Sequence, residues 1–388
     1  MTASNKYLKK TEQYVSPLGE SLSVRVDKGD LVMSICGTIG RPIIIDFPSC
    51  IHDGFVQLYE IKDADTEYLY YILQYHEKDL ENKGQPGTQV NLNTGIVENF
   101  EIFFPPQAIQ RKIARILSTA DAVIEKTQAA IAKYKAIKQG MLHDLFTRGI
   151  DPVTNKLRPT YEGAPHLYKE SKLGWIPKEW EVAEIVNIIQ PIMSNVDKHI
   201  REDEIAIFLC NYMDVYTNRY LTKNISFSEG SVNASEMQRF SLCAQDVIIT
   251  KDSETPDDIA VPAVLLEEMQ NLICGYHLCI LRSKDLQKLN GEFLMMQLQL
   301  QEINNQFATR ANGSTRYGLT IDAIEKVRLK IPNDIDEQIK IANKIKTIDN
   351  KLQTEQTYLH KLQQIKAGLM ADLLSGKKSV TVEEAPAN

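Results

Sequence analysis

The sequence predicts an α+β fold in which two α/β modules alternate with two long helices that pack against each other as a coiled coil. A long helical phrase occurs twice, and a similar run of loops, strands and short helices precedes each copy. Each copy also carries an apolar stripe at three- and four-residue steps, the spacing of a coiled-coil seam. At 388 residues the chain is long enough for two or three domains with cores of their own.

The two helical phrases begin at Gln110 and Gln338 and align without gaps at an offset of 228 residues. They share about 13 identities over about 42 positions, among them Asp121 and Lys138, which is far above chance. At 1.5 Å per residue, about 40 residues make a rod of about 60 Å. Two rods with similar apolar stripes bury them most economically against each other.

Prolines before each helical phrase and glycines after it indicate where the helices begin and end. The predicted order is a first module (1–104), a first long helix (105–148), a linker (149–170), a second module (171–331), a second long helix (332–376) and a disordered tail (377–388). Each module is expected to end in a polar Gly/Thr loop, a short helix and a strand. The final strand is predicted at EIFFPP in the first module and at VRLKIP in the second.

The two modules differ at their start. Tyr7 aligns with Tyr220, so about 45 residues of the second module, from Ser171 to Thr217, have no counterpart in the first. Either the first module lacks its opening strands or its true start lies upstream of Met1. If the strands are absent, the first module has an unpaired sheet edge that another segment or a partner must cover.

Composition narrows the class of protein. No apolar run approaches the roughly 18 residues that a membrane span needs, and the first residues lack the apolar core of a signal peptide, so we expect a cytoplasmic protein. The net charge of −7 argues against a generally basic nucleic-acid coat but not against local basic loops. The six cysteines contain no CxxC pair and lie in apolar runs, which predicts buried, reduced thiols.

Motifs for catalysis are absent from the sequence. It contains no GxxxxGK string followed by Ser or Thr, no GxSxG elbow, no glycine-rich cofactor turn and no NPPY-type string for a flipped base. Its seven histidines lack HExxH spacing, which indicates ordinary surface or core histidines. We therefore expect a protein that is not an enzyme and that binds no cofactor or metal itself.

The string GTIG at residues 37–40 resembles the GxxG clamp of a KH nucleic-acid domain. That clamp joins two helices, whereas the flanking strings DLVMSI and RPIIIDF have the character of strands. A tight turn between two strands is therefore the favoured interpretation. Its glycines would still allow the backbone to approach a phosphate, and Arg41 follows directly.

Two polar loops are the best candidates for a binding site. RANGSTRYG, residues 310–318, offers arginines, an asparagine, hydroxyls and a tyrosine as hydrogen-bonding groups for phosphates and base edges. The corresponding first-module loop, residues 83–95, is rich in amides that could bond bidentately to adenine. For any single residue, a solvated loop position remains an alternative to a base contact. Taken together as a matched pair, the two loops favour DNA binding over ordinary solvated loops.

The whole pattern resembles the specificity (S) subunits of type I restriction-modification systems. The resemblance is carried by GTQVNLNTGIVENFEIFFPPQAIQRKIARIL and GSTRYGLTIDAIEKVRLKIPNDIDEQIKIANKI, by KQGMLHDLFTRGID, and by the junction LRPTYEGAPHLYKESKLGWIPKEWEV. GDLVMSICGTIG also resembles the family's mid-domain turn, whereas the second module has QDVIITKDSETP at that place. The likeness covers the chain apart from its tail.

The resemblance implies two target-recognition domains that alternate with two long helices packed as an antiparallel coiled coil. It also implies no catalysis by this chain. It implies that the subunit recognises a bipartite, asymmetric site on double-stranded DNA and docks two methyltransferase subunits and motor-nuclease (restriction) subunits. S-adenosylmethionine, ATP and Mg²⁺ would bind to those partners. The coiled coil would set the length of the unread spacer, and a turn of DNA, about 35 Å, fits within one rod.

The candidate DNA contacts are the polar and basic residues of the two loops and of the strand ends beside them. They are Arg41, Gln85, Thr88, Gln89, Asn91, Lys251, Arg310, Asn312, Thr315, Arg316 and Tyr317. The alternative function is a non-catalytic coiled-coil scaffold whose modules bind protein. A stand-alone nuclease or methyltransferase is disfavoured by the missing motifs. Neither the target sequence nor the spacer length follows from the sequence, because recognition loops have no simple residue-to-base code.

Overall fold

A computed structural model describes residues 6–84 and 91–381 of the chain. The chain forms two compact units: unit 1 is Met1–Ala132 with Gln353–Asn388, and unit 2 is Lys133–Leu352. Both long helices therefore contribute residues to both units. The predicted boundaries between modules and helices divide the chain by a different criterion and remain a prediction.

Helices account for both repeated phrases. Those in the described residues are α1 (Pro17–Ser21), α2 (Thr66–Tyr75), α3 (Glu77–Lys83), α4 (Thr94–Glu98), α5 (Gln107–Thr147), α6 (Ile185–Ile188), α7 (Tyr212–Thr217), α8 (Ala234–Phe240), α9 (Gly291–Leu298), α10 (Gln301–Ala308), α11 (Ile321–Glu325) and α12 (Ile335–Leu373). With 41 residues in α5 and 39 in α12, the two predicted long helices are confirmed. Among the described helices, none combines the length and the apolar character required to cross a bilayer.

The strands are short and belong to several sheets. They are β1 (Tyr7–Leu8), β2 (Val24–Val26), β3 (Leu31–Ser34), β4 (Pro42–Ile45), β5 (Ser49–Ile51), β6 (Phe55–Leu58), β7 (Tyr168–Ser171), β8 (Gly174–Pro177), β9 (Trp180–Glu184), β10 (Ile189–Met193), β11 (Ile205–Cys210), β12 (Tyr220–Leu221), β13 (Ser228–Val232), β14 (Val247–Thr250), β15 (Asp252–Ser253), β16 (Pro262–Leu265), β17 (Leu272–Cys274), β18 (Leu278–Ser283), β19 (Tyr317–Gly318) and β20 (Arg328–Pro332). Single 3-10 turns lie at Pro165–Leu167 and Pro256–Asp258. With these helices, the strands confirm the predicted α+β fold class.

The main sheets of the two units share one topology. In unit 1 the order is β1-β4-β3-β6, and in unit 2 it is β10-β18-β14-β16-β12. The first strand of each repeat is parallel to its neighbour, β1 to β4 and β12 to β16, whereas the β3 and β14 pairings are antiparallel. Strands β1, β4, β3 and β6 thus correspond to β12, β16, β14 and β18. Within the main sheet of unit 2, β10 is the strand without a counterpart among the described strands of the main sheet of unit 1.

The strand predicted at EIFFPP is wrong. Residues 101–106 have no strand in unit 1, whereas the equivalent β20 in unit 2 pairs antiparallel with β9 along its whole length. The partner decides the difference, because a strand needs a neighbour to satisfy its backbone groups. Strand β9 belongs to the stretch Ser171–Thr217 that lacks a first-module counterpart in the sequence.

The string GTIG forms a connection between antiparallel strands β3 and β4, as expected. Gly37 and Gly40 have φ values of 78° and 76°, the left-handed region that glycine enters without steric cost. The Gly40 amide donates to the Ser34 carbonyl at 2.9 Å, closing the turn. This setting between strands differs from the helix-to-helix setting of a KH clamp.

Each unit has an apolar core that includes long-helix residues. In unit 1, Tyr68, Tyr71 and Ile72 of α2 pack with Leu117 of α5 and Leu374 beyond α12. The larger core of unit 2 holds α9, α11 and the sheet strands against residues from both long helices, such as Phe146 and Ile341. The long helices are therefore structural parts of both cores.

Within unit 2 the long helices run antiparallel and are joined by a buried ion pair. Lys138 Nζ lies 2.6 Å from Asp349 Oδ1, with the two side chains 7% and 9% exposed. Arg219 Nη1 also donates to Asp349 Oδ1 at 2.8 Å, and the Tyr220 hydroxyl donates to Oδ2 at 3.3 Å. Asp349 thus connects α5, α12 and the start of β12.

Unit 1 contains the equivalent pair with the helices exchanged. Lys366 Nζ lies 2.6 Å from Asp121 Oδ1, and the Tyr71 hydroxyl donates to Asp121 Oδ2 at 2.7 Å. Burial first, and then the bond to Asp121, raise the pKa of Tyr71 well above its ordinary value, so this phenol remains a donor. The pairing confirms that the repeated helices pack antiparallel.

The repeated glutamines also have matching roles. Gln110 donates to the carbonyls of Pro105 at 2.8 Å and Asp63 at 3.2 Å, and it accepts from the Asp65 amide at 2.8 Å. Its counterpart Gln338 binds the carbonyls of Pro332 and Lys288 and the amide of Asn290 in the same way. Each glutamine fixes the loop that enters α2 or α9 against the start of a long helix.

The linker is held against unit 2 by a buried carboxylate. Glu337 accepts from Arg158 at 2.6 and 3.1 Å, from the Trp180 indole at 3.1 Å and from the Ile150 amide at 2.8 Å. A Cβ at Gly149 would lie 2.2 Å from the same carboxylate, so only glycine fits there. The linker is therefore more ordered than its composition predicts, and its last residues form the start of β7.

The cysteines are only partly as predicted. Cys210, Cys274 and Cys279 are buried, Cys50 and Cys243 are intermediate, and Cys36 is exposed. Cys36 follows β3 in the connection to β4, where the chain leaves the sheet. The expectation of uniform burial is wrong because an apolar flanking string does not specify which side of the strand end a residue occupies.

Candidate nucleic-acid interface

The two predicted loops are attached to equivalent strands in the two units. In unit 2 the Leu319 amide donates to the Lys251 carbonyl at 2.9 Å, just beyond β14. In unit 1 the Leu92 amide donates to the Ile35 carbonyl at 2.9 Å, just beyond β3. Each attachment is a backbone hydrogen bond made just beyond the end of a central strand of the sheet. The sheet therefore fixes the position of each loop where the loop meets it.

A second strand pairing extends the attachment in both units. Strand β15 pairs with β19 so that Asp252 lies opposite Gly318 and Ser253 opposite Tyr317. In unit 1 an isolated bridge between Cys36 and Asn91 occupies the equivalent place. We call Cys36–Arg41 with Asn91–Asn93 loop site 1. Loop site 2 is Lys251–Ser253, Tyr276–His277 and Arg310–Gly318.

Loop site 2 is a closed hairpin. Asn312 and Gly318 exchange backbone bonds, N to O at 3.0 Å and 2.8 Å, and so close a five-residue loop. Gly313 has a φ of 145°, and a Cβ there would lie 1.8 Å from the Arg316 carbonyl oxygen. Only glycine allows the backbone to fold this tightly, so the side chains of residues 314–317 are presented from one compact turn.

The tip of this hairpin is polar and accessible. Asn312, Ser314, Thr315 and Arg316 are exposed, and Tyr317 is half-buried. Within the described residues, the side chains of Thr315 and Arg316 make no hydrogen bond or ion pair. Because the Arg316 guanidinium donates to no described protein group, all of its N–H donors are available to a ligand.

Other predicted contacts in loop site 2 are already engaged. Lys251 is half-buried, donates to the Ser194 carbonyl at 3.3 Å and lies 4.5 Å from the centre of the Tyr276 ring. Arg310 Nη1 donates to the Gln306 carbonyl at 2.6 Å. These two residues are placed beside the hairpin, but their charged groups point at protein partners.

In unit 1 the structure describes two of the predicted contacts. Asn91 is exposed on the bridge to Cys36. Arg41 is exposed at the end of the β3–β4 connection, but its Nε lies 2.7 Å from Glu77 Oε1 in an ion pair. The predicted contacts Gln85, Thr88 and Gln89 lie outside the described residues.

The neighbours of loop site 2 include residues that sequence reasoning missed. His277 Nδ1 lies 2.8 Å from Asp252 Oδ2, and Tyr276 is 50% exposed with its ring edge against His277. Their signal in the sequence is the string GYH directly before β18, which places an aromatic and a titratable group at a strand end. An exposed aromatic beside a cation is a suitable platform for a nucleic-acid base.

The charge around loop site 2 is mixed. Asp252, Glu254, Asp257 and Asp258 follow Lys251 within a single connection, and Asp258 accepts from the Tyr216 hydroxyl at 2.9 Å. These carboxylates oppose a phosphate backbone at close range. Positive charge from outside this chain would therefore strengthen binding at this surface.

A family described as the type I restriction modification DNA specificity domain matches residues 2–134 and 177–366. The chain belongs to this family. The match covers both loop sites and most of both long helices, and it confirms the resemblance noted in the sequence. The specificity-domain match is interrupted at residues 135–176, where α5 ends and the linker follows.

Curated members of the specificity family resemble the chain over most of its length. The type I restriction enzyme MjaVIII specificity subunit of Methanocaldococcus jannaschii is 22% identical over 363 residues, 91% of this chain and 80% of the relative. The MjaIX specificity subunit of the same organism is 22% identical over 363 residues, covering 91% of this chain and 78% of the relative.

A solved specificity subunit shares the fold. The crystal structure of the type I restriction-modification system S subunit from M. genitalium superposes with a TM-score of 0.57 at 16% identity. It covers 92% of this chain and 84% of that chain. At this identity the likeness shows the fold.

Proposed function

We propose that this chain is the DNA sequence-recognition (specificity) subunit of a type I restriction-modification complex. Unit 1 and unit 2 each read one half of a bipartite, asymmetric target on double-stranded DNA. The observation that carries the proposal is the repeated attachment of a polar loop to the end of a central strand, Leu92 on Ile35 and Leu319 on Lys251. One scaffold holds two loops of different sequence, which is what reading two unlike half-sites requires.

Chemistry assigns roles to the candidate contacts. Arg316 and Asn312 carry the guanidinium and amide that bond bidentately to guanine and adenine in the major groove. Thr315 and Tyr317 offer hydroxyls for phosphates or base edges. Three of the cationic candidates already bind protein groups: Lys251 and Arg310 donate to carbonyls, and Arg41 pairs with Glu77. These residues position the loops unless DNA displaces their protein partners. Asn91 is the amide reader of loop site 1, together with Gln85, Thr88 and Gln89.

The partner subunits dock on the long helices. Ile137 in unit 2 and Ile365 in unit 1 are equivalent repeat positions, and both remain exposed at 40% and 47%. The two repeated helices expose an apolar residue at the same repeat position. Two equivalent apolar surfaces of this kind are suited to binding two copies of one partner. We assign these faces to two methyltransferase subunits, with restriction subunits joining the same assembly.

Catalysis belongs to those partners. They bind S-adenosylmethionine, ATP and Mg²⁺, and this chain is not an enzyme but positions them on the target. Its net charge of −7 and the carboxylates near Lys251 favour an arrangement in which partners neutralise much of the phosphate charge. The assembly works where the chromosome is, in the cytoplasm.

Binding measurements on the assembled complex test the proposal. Affinity for target DNA should fall steeply between about 50 mM and 200 mM salt, because released counterions drive the binding. Sequencing of methylated adenines in the host genome should reveal one bipartite motif with an unread spacer. An assembled complex with no DNA affinity at low salt would reject the proposal and favour a protein-binding scaffold.

A further inference from the structure

Tyr276 is an exposed aromatic side chain that is held in place beside the hairpin of loop site 2. It is 50% exposed, although β18, which begins two residues later, starts with buried residues. Lys251 Nζ lies over the Tyr276 ring, 4.5 Å from its centre. The His277 ring meets the same ring edge-on, with 4.7 Å between the two ring centres. Two neighbours therefore support the ring while half of the residue's surface stays open to a ligand.

Backbone and side-chain contacts join this ring support to the hairpin. His277 Nδ1 lies 2.8 Å from Asp252 Oδ2, and Asp252 lies opposite Gly318 of the hairpin in the β15–β19 pairing. The Lys251 amide also donates to the His277 carbonyl at 3.0 Å. Three backbone segments thus lie side by side at this end of the sheet. Because adjacent strands are about 4.8 Å apart, the segment that carries Tyr276 lies about 10 Å from the hairpin strand.

This separation matches the spacing of bases in a DNA duplex. Successive base pairs are about 3.4 Å apart, so about 10 Å corresponds to about three base pairs. A duplex that presents one base pair to Arg316 at the hairpin tip therefore presents another, about three pairs away, to Tyr276. Both side chains would then contact the same half-site.

The charges near Tyr276 favour an uncharged partner for the ring. The Lys251 ammonium is occupied by the ring and by the Ser194 carbonyl, to which it donates at 3.3 Å. The carboxylates of Asp252 and Glu254 follow directly in the chain and repel a phosphate. In a duplex the base faces are stacked on one another, so a side chain in the major groove meets base edges. The apolar group on those edges is the 5-methyl group of thymine.

The equivalent position in unit 1 has the same backbone setting but different chemistry. The Ile35 amide donates to the Gly54 carbonyl at 2.9 Å, as the Lys251 amide does to the His277 carbonyl. Asp53, directly before Gly54, therefore occupies the place of Tyr276, and it is exposed as well. Modules that read unlike half-sites need positions that keep their place and change their side chain, and this position does both.

We propose that Tyr276 is a specificity-determining residue that contacts the 5-methyl group of a thymine in the half-site read by unit 2. The inference rests on the proposed DNA-recognition function and adds to it one side chain and the chemical group that this side chain recognises. The Tyr276 ring supplies apolar contact area, and Lys251 and His277 position it.

Replacing thymine with deoxyuridine tests the contact, because this change removes the methyl group alone. Duplexes that carry the methylated motif of the host genome, with each thymine replaced in turn, are titrated with the assembled complex. One replacement, in the half-site that Arg316→Ala relaxes, should weaken binding about fourfold. Tyr276→Ala should weaken binding of the unmodified duplex by a similar factor and abolish the response to that replacement.

Two control variants separate this contact from a structural role. Tyr276→Phe keeps the ring and should keep the response to deoxyuridine. Leu286→Ala changes a side chain that is 51% exposed beyond the opposite end of β18, and it should bind every duplex as the unchanged protein does.

Several results would overturn the proposal. If Tyr276 only supports the loop, Tyr276→Ala will weaken binding of both duplexes equally and keep the response to deoxyuridine. A half-site of unit 2 that contains no thymine, or no sensitive thymine, would also reject the contact while leaving DNA recognition intact. An assembled complex that binds no target duplex would instead reject the proposed function, and this inference with it.

Discussion

Lys138 Nζ lies 2.6 Å from Asp349 Oδ1 in an ion pair that is almost fully buried between the two long helices. The same two repeat positions meet again as Lys366 and Asp121, also at 2.6 Å but with side chains 17% and 21% exposed. Each helix thus donates a lysine to the other helix's aspartate. The pairs form only in one register, so they select the antiparallel alignment of the coiled coil.

Breaking the more buried pair should cost more stability than breaking its equivalent. Lys138→Met leaves the Asp349 carboxylate with fewer partners in a buried site and should lower the free energy of unfolding by about 3 to 5 kcal/mol. Lys366→Met should cost about 1.5 to 3 kcal/mol, because Asp121 is more accessible to water. Urea unfolding of both variants checks the order, and equal losses would contradict a role for burial.

Glu337 should be the most sensitive carboxylate of the linker contact. Glu337→Gln removes the charge that faces Arg158, which is 4% exposed, and should lower the free energy of unfolding by about 3 to 5 kcal/mol. The control Glu98→Gln changes an exposed side chain that makes no hydrogen bond or ion pair with the described residues. Its free energy of unfolding should stay within about 0.5 kcal/mol of the unchanged protein. A small loss at Glu337 would show that water reaches Arg158 and replaces the carboxylate.

Arg316 distinguishes base reading from phosphate binding. Arg316→Ala should weaken binding of target DNA by the assembled complex by about 1 to 3 kcal/mol. Arg316→Lys keeps the charge but loses the planar fork, so a base reader stays defective whereas a phosphate contact recovers. Titrations with target DNA and with a site altered at one base pair separate the two. Unchanged affinity and site choice in Arg316→Ala would remove the residue from the interface.

Thiol labelling should reveal loop site 1. At mildly alkaline pH, Cys36 should react first because it is exposed, whereas burial raises the pKa of Cys279 to about 12 and keeps it protonated. Burial raises the pKa of Cys210 and Cys274 as well, so these thiols should react only on unfolding. Mass spectrometry of peptides gives each rate.

DNA then provides the functional comparison. Target DNA bound to the assembled complex should slow labelling of Cys36, which bridges Asn91, and leave the half-buried Cys50 unchanged. Equal rates at Cys36 with and without DNA would place loop site 1 outside the DNA interface.

The repeat made much of this fold predictable. Identity at Gln110 and Asp121 with Gln338 and Asp349 indicates two equivalent helices, and a gap-free alignment predicts equivalent roles. The cross-pairing with lysines could not be read from the sequence, because it depends on an antiparallel register that identity alone does not specify. The failed strand at EIFFPP has a related cause: its local pattern is that of a strand, but none of the described residues of unit 1 forms a strand beside it.

The candidate site was harder to predict than the scaffold. RANGSTRYG was identifiable from its composition and from the matching first-module loop, but the sequence did not predict its attachment beside β14. Tyr276 and His277 join the same surface through strand pairing with residues about 25 positions away, a contact that no local pattern encodes. The engagement of Lys251 and Arg310 with carbonyls likewise depends on tertiary geometry.

The central claim is that each unit reads its own half of one DNA target. Host cells expressing the complex with Asn91→Ala or with Arg316→Ala should be compared by sequencing methylated adenines across the genome. Each substitution should relax one half of the bipartite motif and leave the other half and the spacer length unchanged, and the two substitutions should affect opposite halves. A motif in which either substitution alters both halves, or in which both alter the same half, would contradict the account.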